Sequence, residues 1–346
     1  MNKMILLLLL TTLLTLPVSA LELTAPSVPE SGAELMPVDR NTFGEDLWYI
    51  VKKGIAAVEP ELAEAAANCT GIIAVVMLIS VLRTFPGITE RVTELCGAVA
   101  AGTLLLSASG SLIHLAAQTV TELSEYGKLL LPVMTAALAA QGGLTSSAAI
   151  YTGTVIFDAV LTQLIVNVII PLIYVYLALS AANCALGLDL LKKIRELCKW
   201  FATWSLKMVL YIFTGYISIT GVISGTADAA AVKAAKVTIS GVVPVVGGIL
   251  SDATEAVLVG AGVVKSSVGV YGLLAVFSVI AVPFLRIGCQ YLLLRLTGAV
   301  SSAFGAGRTV DMVNDFASAM GLLLAMTGTV GMMLMISTVC MMKGVA

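Results

Sequence analysis

Apolar segments long enough to cross a bilayer recur from residue 67 almost to the last position, and no other property narrows the available folds so sharply. Stretches at about residues 67–82, 96–117, 201–224, 268–296 and 319–341 each hold two charged residues or fewer, and a further region, Leu129–Gly187, is too long for one crossing. About 20 apolar residues of helix span a hydrocarbon core of about 30 Å, and a chain in that solvent must satisfy its backbone internally. Of 346 residues, 59% are hydrophobic and 12% charged, with mean hydropathy +1.02, whereas soluble chains carry roughly 25% charged residues. The expected fold is all-α: a polytopic helical membrane protein with the lipid bilayer as its surroundings. The net charge is −2, with no long basic block. Phosphate binding needs a clustered positive face, so no nucleic-acid partner is expected.

Residues 1–20 have the three parts of a secretory signal peptide: Lys3, an apolar run from Ile5 to Leu16, and Val18-Ser19-Ala20 as a small-residue cleavage site. Residues 21–66 then read as an extracytoplasmic arm punctuated by Pro26, Pro29 and Pro37. Its later part places Leu47, Ile50, Val51, Ile55 and Val58 at helical spacing, as in an amphipathic helix at a membrane surface or against a partner. Pro60, followed by Glu61 and Glu64, suits the first turn of the next helix. The membrane domain occupies 67–346.

Two regions suggest broken hairpins, one with Gly142 and Gly143, the other over 241–264 with Gly247, Gly248, Asp252 and Glu255. An offset of 112 lays Pro132-Val133 on Pro244-Val245 and Pro171 on Pro283. A tandem parallel repeat over 128–224 and 240–336 is therefore expected, each unit a broken hairpin plus two spans. Parity of crossings puts the loop at 188–200 in the cytoplasm. That loop carries Lys192, Lys193, Arg195 and Lys199, the densest basic cluster in the chain, as the positive-inside rule requires. The loop around Arg308 falls on the same side.

Charged residues within apolar stretches cost about 2.5–3.5 kcal/mol or more at the bilayer centre unless paired or solvated. Asp158, Lys207 and Arg286 are the candidates, joined by Asp252 and Glu255 at the second hairpin. They read either as a polar pathway or as structural pairs, such as Asp158 with Arg286 or Lys207. His114 is the only histidine, and a hydrogen-bonded packing role is expected for it. The six cysteines, none in a Cys-x-x-Cys pair, read as small apolar residues. Neither a phosphate-binding Gly-x-x-x-x-Gly-Lys motif nor a hydrolase or metalloprotease motif occurs. No enzymatic activity, cofactor or metal site is expected.

At residues 28–37, Val-Pro-Glu-Ser-Gly-Ala-Glu-Leu-Met-Pro, the chain resembles the stage III sporulation protein AE family of endospore-forming Firmicutes. The likeness continues through Phe43-Gly44, Leu47-Trp48-Tyr49-Ile50, Pro60-Glu61-Leu62-Ala63 and Leu131-Pro132-Val133-Met134. The resemblance implies a multi-pass subunit of the SpoIIIA–SpoIIQ channel, or feeding tube, acting as channel core or scaffold. It implies a place in the mother-cell membrane facing the forespore, with other SpoIIIA proteins and SpoIIQ as partners, and it carries over no catalytic residue. A stand-alone secondary transporter with re-entrant hairpins is the alternative that the residues leave open.

Overall fold

The computed structural model describes residues 25–37, 42–85, 89–141, 143–242, 247–305 and 307–343, with the side chains of 90, 221–265 and 343 outside that description. The expected signal peptide lies outside the described residues. A short α1, Glu30–Ala33, is followed by long helices: α2, Phe43–Leu82; α3, Glu90–Ala140; α4, Leu144–Leu164; α5, Ile170–Leu186; α6, Asp189–Val242; α7, Gly247–Ser302; and α8, Arg308–Lys343. Among the described residues, five helical segments are long and apolar enough to cross a membrane: Phe43–Leu82, Arg91–Ala140, Leu144–Leu186, Ser266–Ser302 and Arg308–Met342. The polytopic helical expectation holds.

Element boundaries differ from the sequence reading in an instructive way. The amphipathic helix of the arm and the first span are one helix, α2, which begins at a capping box. Thr42 donates from its backbone N–H and its hydroxyl to the Glu45 carboxylate, at 3.1 and 2.9 Å. Pro60 sits inside this helix, not at a start. It removes one donor, which would otherwise bond the Ala56 carbonyl, and the 40-residue helix continues regardless. Likewise α3 carries the second span through Pro132 into the first expected hairpin. That hairpin is thus the tip of two long antiparallel helices. With 51 residues, α3 is about 76 Å long, more than twice a hydrocarbon core. The descending partner, α4 and α5, is joined by a π-helical turn, Ile165–Ile169, directly before Pro171 at the start of α5. Such a turn re-registers the ladder around the missing proline donor.

Residues 252–255, where the 112 offset lays the first break, fall within the continuous helix α7, and Gly247 and Gly248 are its first two residues. The expected span at 201–224 lies within α6, which is not among the five span-length apolar helices found in the described residues.

Helix α8 is the hub. It packs against α3, α4, α5, α6 and α7, and 61% of its most apolar window is buried, against 22% for α2. Phe316, Met320, Leu323, Met326, Val330 and Met333 are buried along it. They meet Leu105, Leu130, Met134, Val276 and Ile287 from neighbouring helices. In lipid such contacts gain through close packing, since the tails are as apolar as the side chains. Gly153 of α4 illustrates this: a Cβ there would collide with the Tyr216 ring of α6. The Tyr216 hydroxyl, in turn, donates to the Ala149 carbonyl at 2.9 Å.

The arm is fastened to the upper part of the bundle. Gly32 lies so close to α7 that a Cβ would sit 2.6 Å from Ser278 Oγ and 2.8 Å from the Val279 backbone nitrogen. Leu35 packs with Ile50, Leu274 and Ala281. Ser31 donates to the Glu122 carboxylate, and Lys53 donates to the Glu34 carbonyl.

Three chain reversals gather at the opposite end. Arg83, capping α2, forms an ion pair with Glu94 of α3. Ser80 donates to the Phe304 carbonyl at 2.7 Å, and Thr309 donates to Glu94 at 3.5 Å. Gly187 ends α5 in the left-handed region, φ 68°, where a Cβ would run into the Arg308 guanidinium. The end of α2 and the start of α3, the end of α5 and the start of α6, and the end of α7 and the start of α8 therefore share one end of the bundle, as the parity count expects of positions separated by two crossings.

Candidate functional site

Two polar tiers are built on these helices. At the shared end, Asp315 of α8 forms an ion pair with Arg195 of α6 and accepts from Tyr176 at 3.1 Å and Ser180 at 2.6 Å, both on α5. The Arg195 side chain is 8% exposed and that of Asp315 14%. One turn along, Lys199 donates to Ser318 at 3.1 Å. Three helices are thus clamped through a single carboxylate.

The second tier lies higher, in a cleft of about 480 Å³ between α2, α3 and α7. Each helix turns a polar stripe into it at helical spacing. Helix α2 contributes Glu61, Glu64 and Asn68; α3 contributes Ser107, Ser111, His114 and Gln118; α7 contributes Arg286 and Gln290. Arg286 and Glu61 form an ion pair at 2.5 Å. Gln118 donates to Glu122 at 2.8 Å, extending the tier upward along α3.

Of the intramembrane charges read from the sequence, Arg286 alone among the described residues lines this cleft, and its partner is Glu61, not Asp158. Asp158 is buried between α3 and α4, where Ser124 donates to it at 2.5 Å. Its other oxygen has no partner among the described residues. Lys207 is exposed on α6. The expected pairing of Asp158 with Arg286 or Lys207 is therefore replaced by Arg286–Glu61 and Ser124–Asp158: Arg286 faces α2, and although α4 and α6 pack together, Asp158 is buried toward α3 while Lys207 is exposed. The side chains of Asp252 and Glu255 lie outside the description, as does Gly142; Gly143 is the residue before α4. His114 is exposed to the cleft, in place of the expected packing role. No two of the six cysteines form a disulfide among the described residues; Cys69 and Cys184 are buried and Cys96 is exposed.

Sequence reasoning named Glu61 only as a first-turn acid and Arg195 only as a loop charge, and it missed Asp315 and Gln290. The available signal was spacing: Glu61, Glu64 and Asn68 share a face of α2, as do Ser107, Ser111, His114 and Gln118 of α3. Polar stripes on span-length helices face protein or water, not lipid.

Similarity to known proteins follows the same helices. The chain is 24% identical over 225 residues to stage III sporulation protein AE of Bacillus subtilis (strain 168), an alignment covering 65% of this chain and 56% of that relative. The chain thus spans little more than half the length of that curated relative. No solved structure matches it. The family model of stage III sporulation protein AE matches residues 34–344, nearly the whole helical body with the end of its arm, and the chain belongs to that family.

Proposed function

We propose that this protein is a non-enzymatic membrane subunit of the SpoIIIA–SpoIIQ channel complex, serving as channel core or scaffold in the mother-cell membrane. The observation that carries this reading is helix length. Twenty-two residues separate Arg83 from Glu61 along α2, about 33 Å of helix, close to one hydrocarbon thickness. The two polar tiers therefore bracket one bilayer, with the basic cluster Lys192–Lys199, expected as a loop but helical at the start of α6, and Arg308 at the start of α8 on its cytoplasmic side.

Helices α3, α4 and α7 run on past the upper tier. The arm packs on α7 at residues 274–281, above Arg286. On this reading the upper half of the bundle projects into the space between mother-cell and forespore membranes, where ring-forming partners are expected. Leu129, Leu144, Ile156 and Val160 are exposed on that upper half, and apolar surface outside a bilayer calls for cover by other chains.

The test is co-purification from sporulating cells with mass spectrometry of the associated chains. Recovery of other SpoIIIA proteins and SpoIIQ in defined ratio is the expected result. Recovery of this chain alone, with solute flux by the purified protein in vesicles, would favour the transporter reading, for which the polar cleft is the supporting observation.

A further inference from the structure

The cleft between α2, α3 and α7 has unspent charge and hydrogen-bonding capacity of both signs. Arg286 gives one terminal nitrogen, Nη2, to Glu61; its side chain is 31% exposed, and its other terminal nitrogen has no partner among the described residues. Gln290, 6% exposed, lines the cleft and makes no hydrogen bond among the described residues. Both groups can donate to an anion. Glu64 has no ion pair among the described residues and stands on the same stripe as Asn68. These are acceptors for a positively charged donor.

Donors and acceptors line one recess, the arrangement that a zwitterion satisfies. None of the lining residues is a Trp, Tyr or Phe. A quaternary ammonium is recognised over aromatic faces, whereas a primary ammonium needs oxygen acceptors, which this cleft supplies.

We propose that the cleft binds a primary-ammonium zwitterion, its phosphate or carboxylate on Arg286 and Gln290 and its ammonium on Glu64 and Asn68. Val58, Leu62, Leu112 and Leu115 of α2 and α3 interleave with the polar groups of the cleft. Glu61 lies one hydrocarbon thickness above Arg83, which sets the recess at a headgroup plane. Phosphoethanolamine on a lipid meets each of these conditions, and a free zwitterion of the same chemistry meets the first. The inference rests on the side chains of the cleft, not on membership of a channel complex.

The experiment uses the full chain in nanodiscs of phosphatidylglycerol with either phosphatidylethanolamine or phosphatidylcholine, with retained lipid read by native mass spectrometry. Retention of phosphatidylethanolamine at least about fivefold over phosphatidylcholine is expected, a difference of about 1 kcal/mol. Glu64→Gln should abolish the preference. Glu64 is exposed, so folding is not at stake, and the double variant Glu61→Gln/Arg286→Gln, which leaves no lone charge, should abolish it too. A second arm titrates free phosphoethanolamine into phosphatidylcholine nanodiscs and follows thermal stability. Binding there without retention of the lipid assigns the site to a soluble zwitterion and upholds the proposal. Equal retention of both lipids with no response to the free compound, or a preference untouched by Glu64→Gln, overturns it.

Discussion

Replacing Asp315 with Ala removes the carboxylate on which three helices converge, and the size of the loss follows from what remains. Arg195 keeps a side chain only 8% exposed but loses its counter-charge, while the hydroxyls of Tyr176 and Ser180 lose their acceptor. Leaving a buried charge uncompensated costs about 3–5 kcal/mol. The hydroxyls add little beyond that, since each can turn to another acceptor. The unfolding equilibrium should therefore shift by about 150- to 5,000-fold. Asp315→Asn, which keeps the acceptor oxygen and loses the charge, should fall between Ala and the native chain. Exchanging both ends, Arg195→Met with Asp315→Leu, should recover to within about 1 kcal/mol of the native chain, because apolar replacements remove both the charges and the cost of desolvating them. Reversible unfolding of micelle-solubilised protein in sodium dodecyl sulfate, followed by far-ultraviolet circular dichroism, measures all four. A single-variant loss below about 1 kcal/mol would refute the clamp, as would a double variant no better than Asp315→Ala.

Other outcomes follow from the same contacts. Asp158→Ala and Arg286→Ala, on groups the structure keeps apart, should combine additively to within about 0.5 kcal/mol. Coupling well beyond that in a double-mutant cycle would mean that they meet after all. Gly187→Ala should destabilise by about 1–2 kcal/mol through its left-handed backbone, before any displacement of Arg308 is counted; an unchanged unfolding midpoint would contradict the turn. Reporter fusions should place Lys192–Lys199 in the cytoplasm and Lys233–Lys236 across the membrane, and swapped signals would invert the assigned orientation. Gly32→Val should loosen the arm from α7, seen as faster protease cleavage between residues 25 and 37, since the added atoms would fall on Ser278 and Val279.

Much of this architecture is legible in the sequence because lipid imposes a simple rule: apolar residues at span length become helices. What was less legible is where one helix stops. Pro60 reads as a helix start by local preference, yet α2 runs through it, because one lost backbone bond is a small part of a 40-residue helix packed on α7. The real start was written nearby, in the Thr42–Glu45 capping box. The choice of charge partners was opaque for a different reason. Arg286 has carboxylates at several sequence distances, and only the packing of α2 on α7 selects Glu61. Arg195 and Asp315 each sit within two turns of a loop, so each reads alone as a solvated end-of-helix charge. Their pairing exists because α6 and α8 stand side by side.

The unbroken run of α3 has a mechanical consequence. A rod of about 76 Å held at its foot by Glu94 and Arg83 works as a lever. Swinging that rod by about 5° would carry its tip sideways by about 7 Å, the better part of a helix diameter. Small rearrangements among the ion pairs at the base would thus be read out, enlarged, at the far end, where α3 turns into α4.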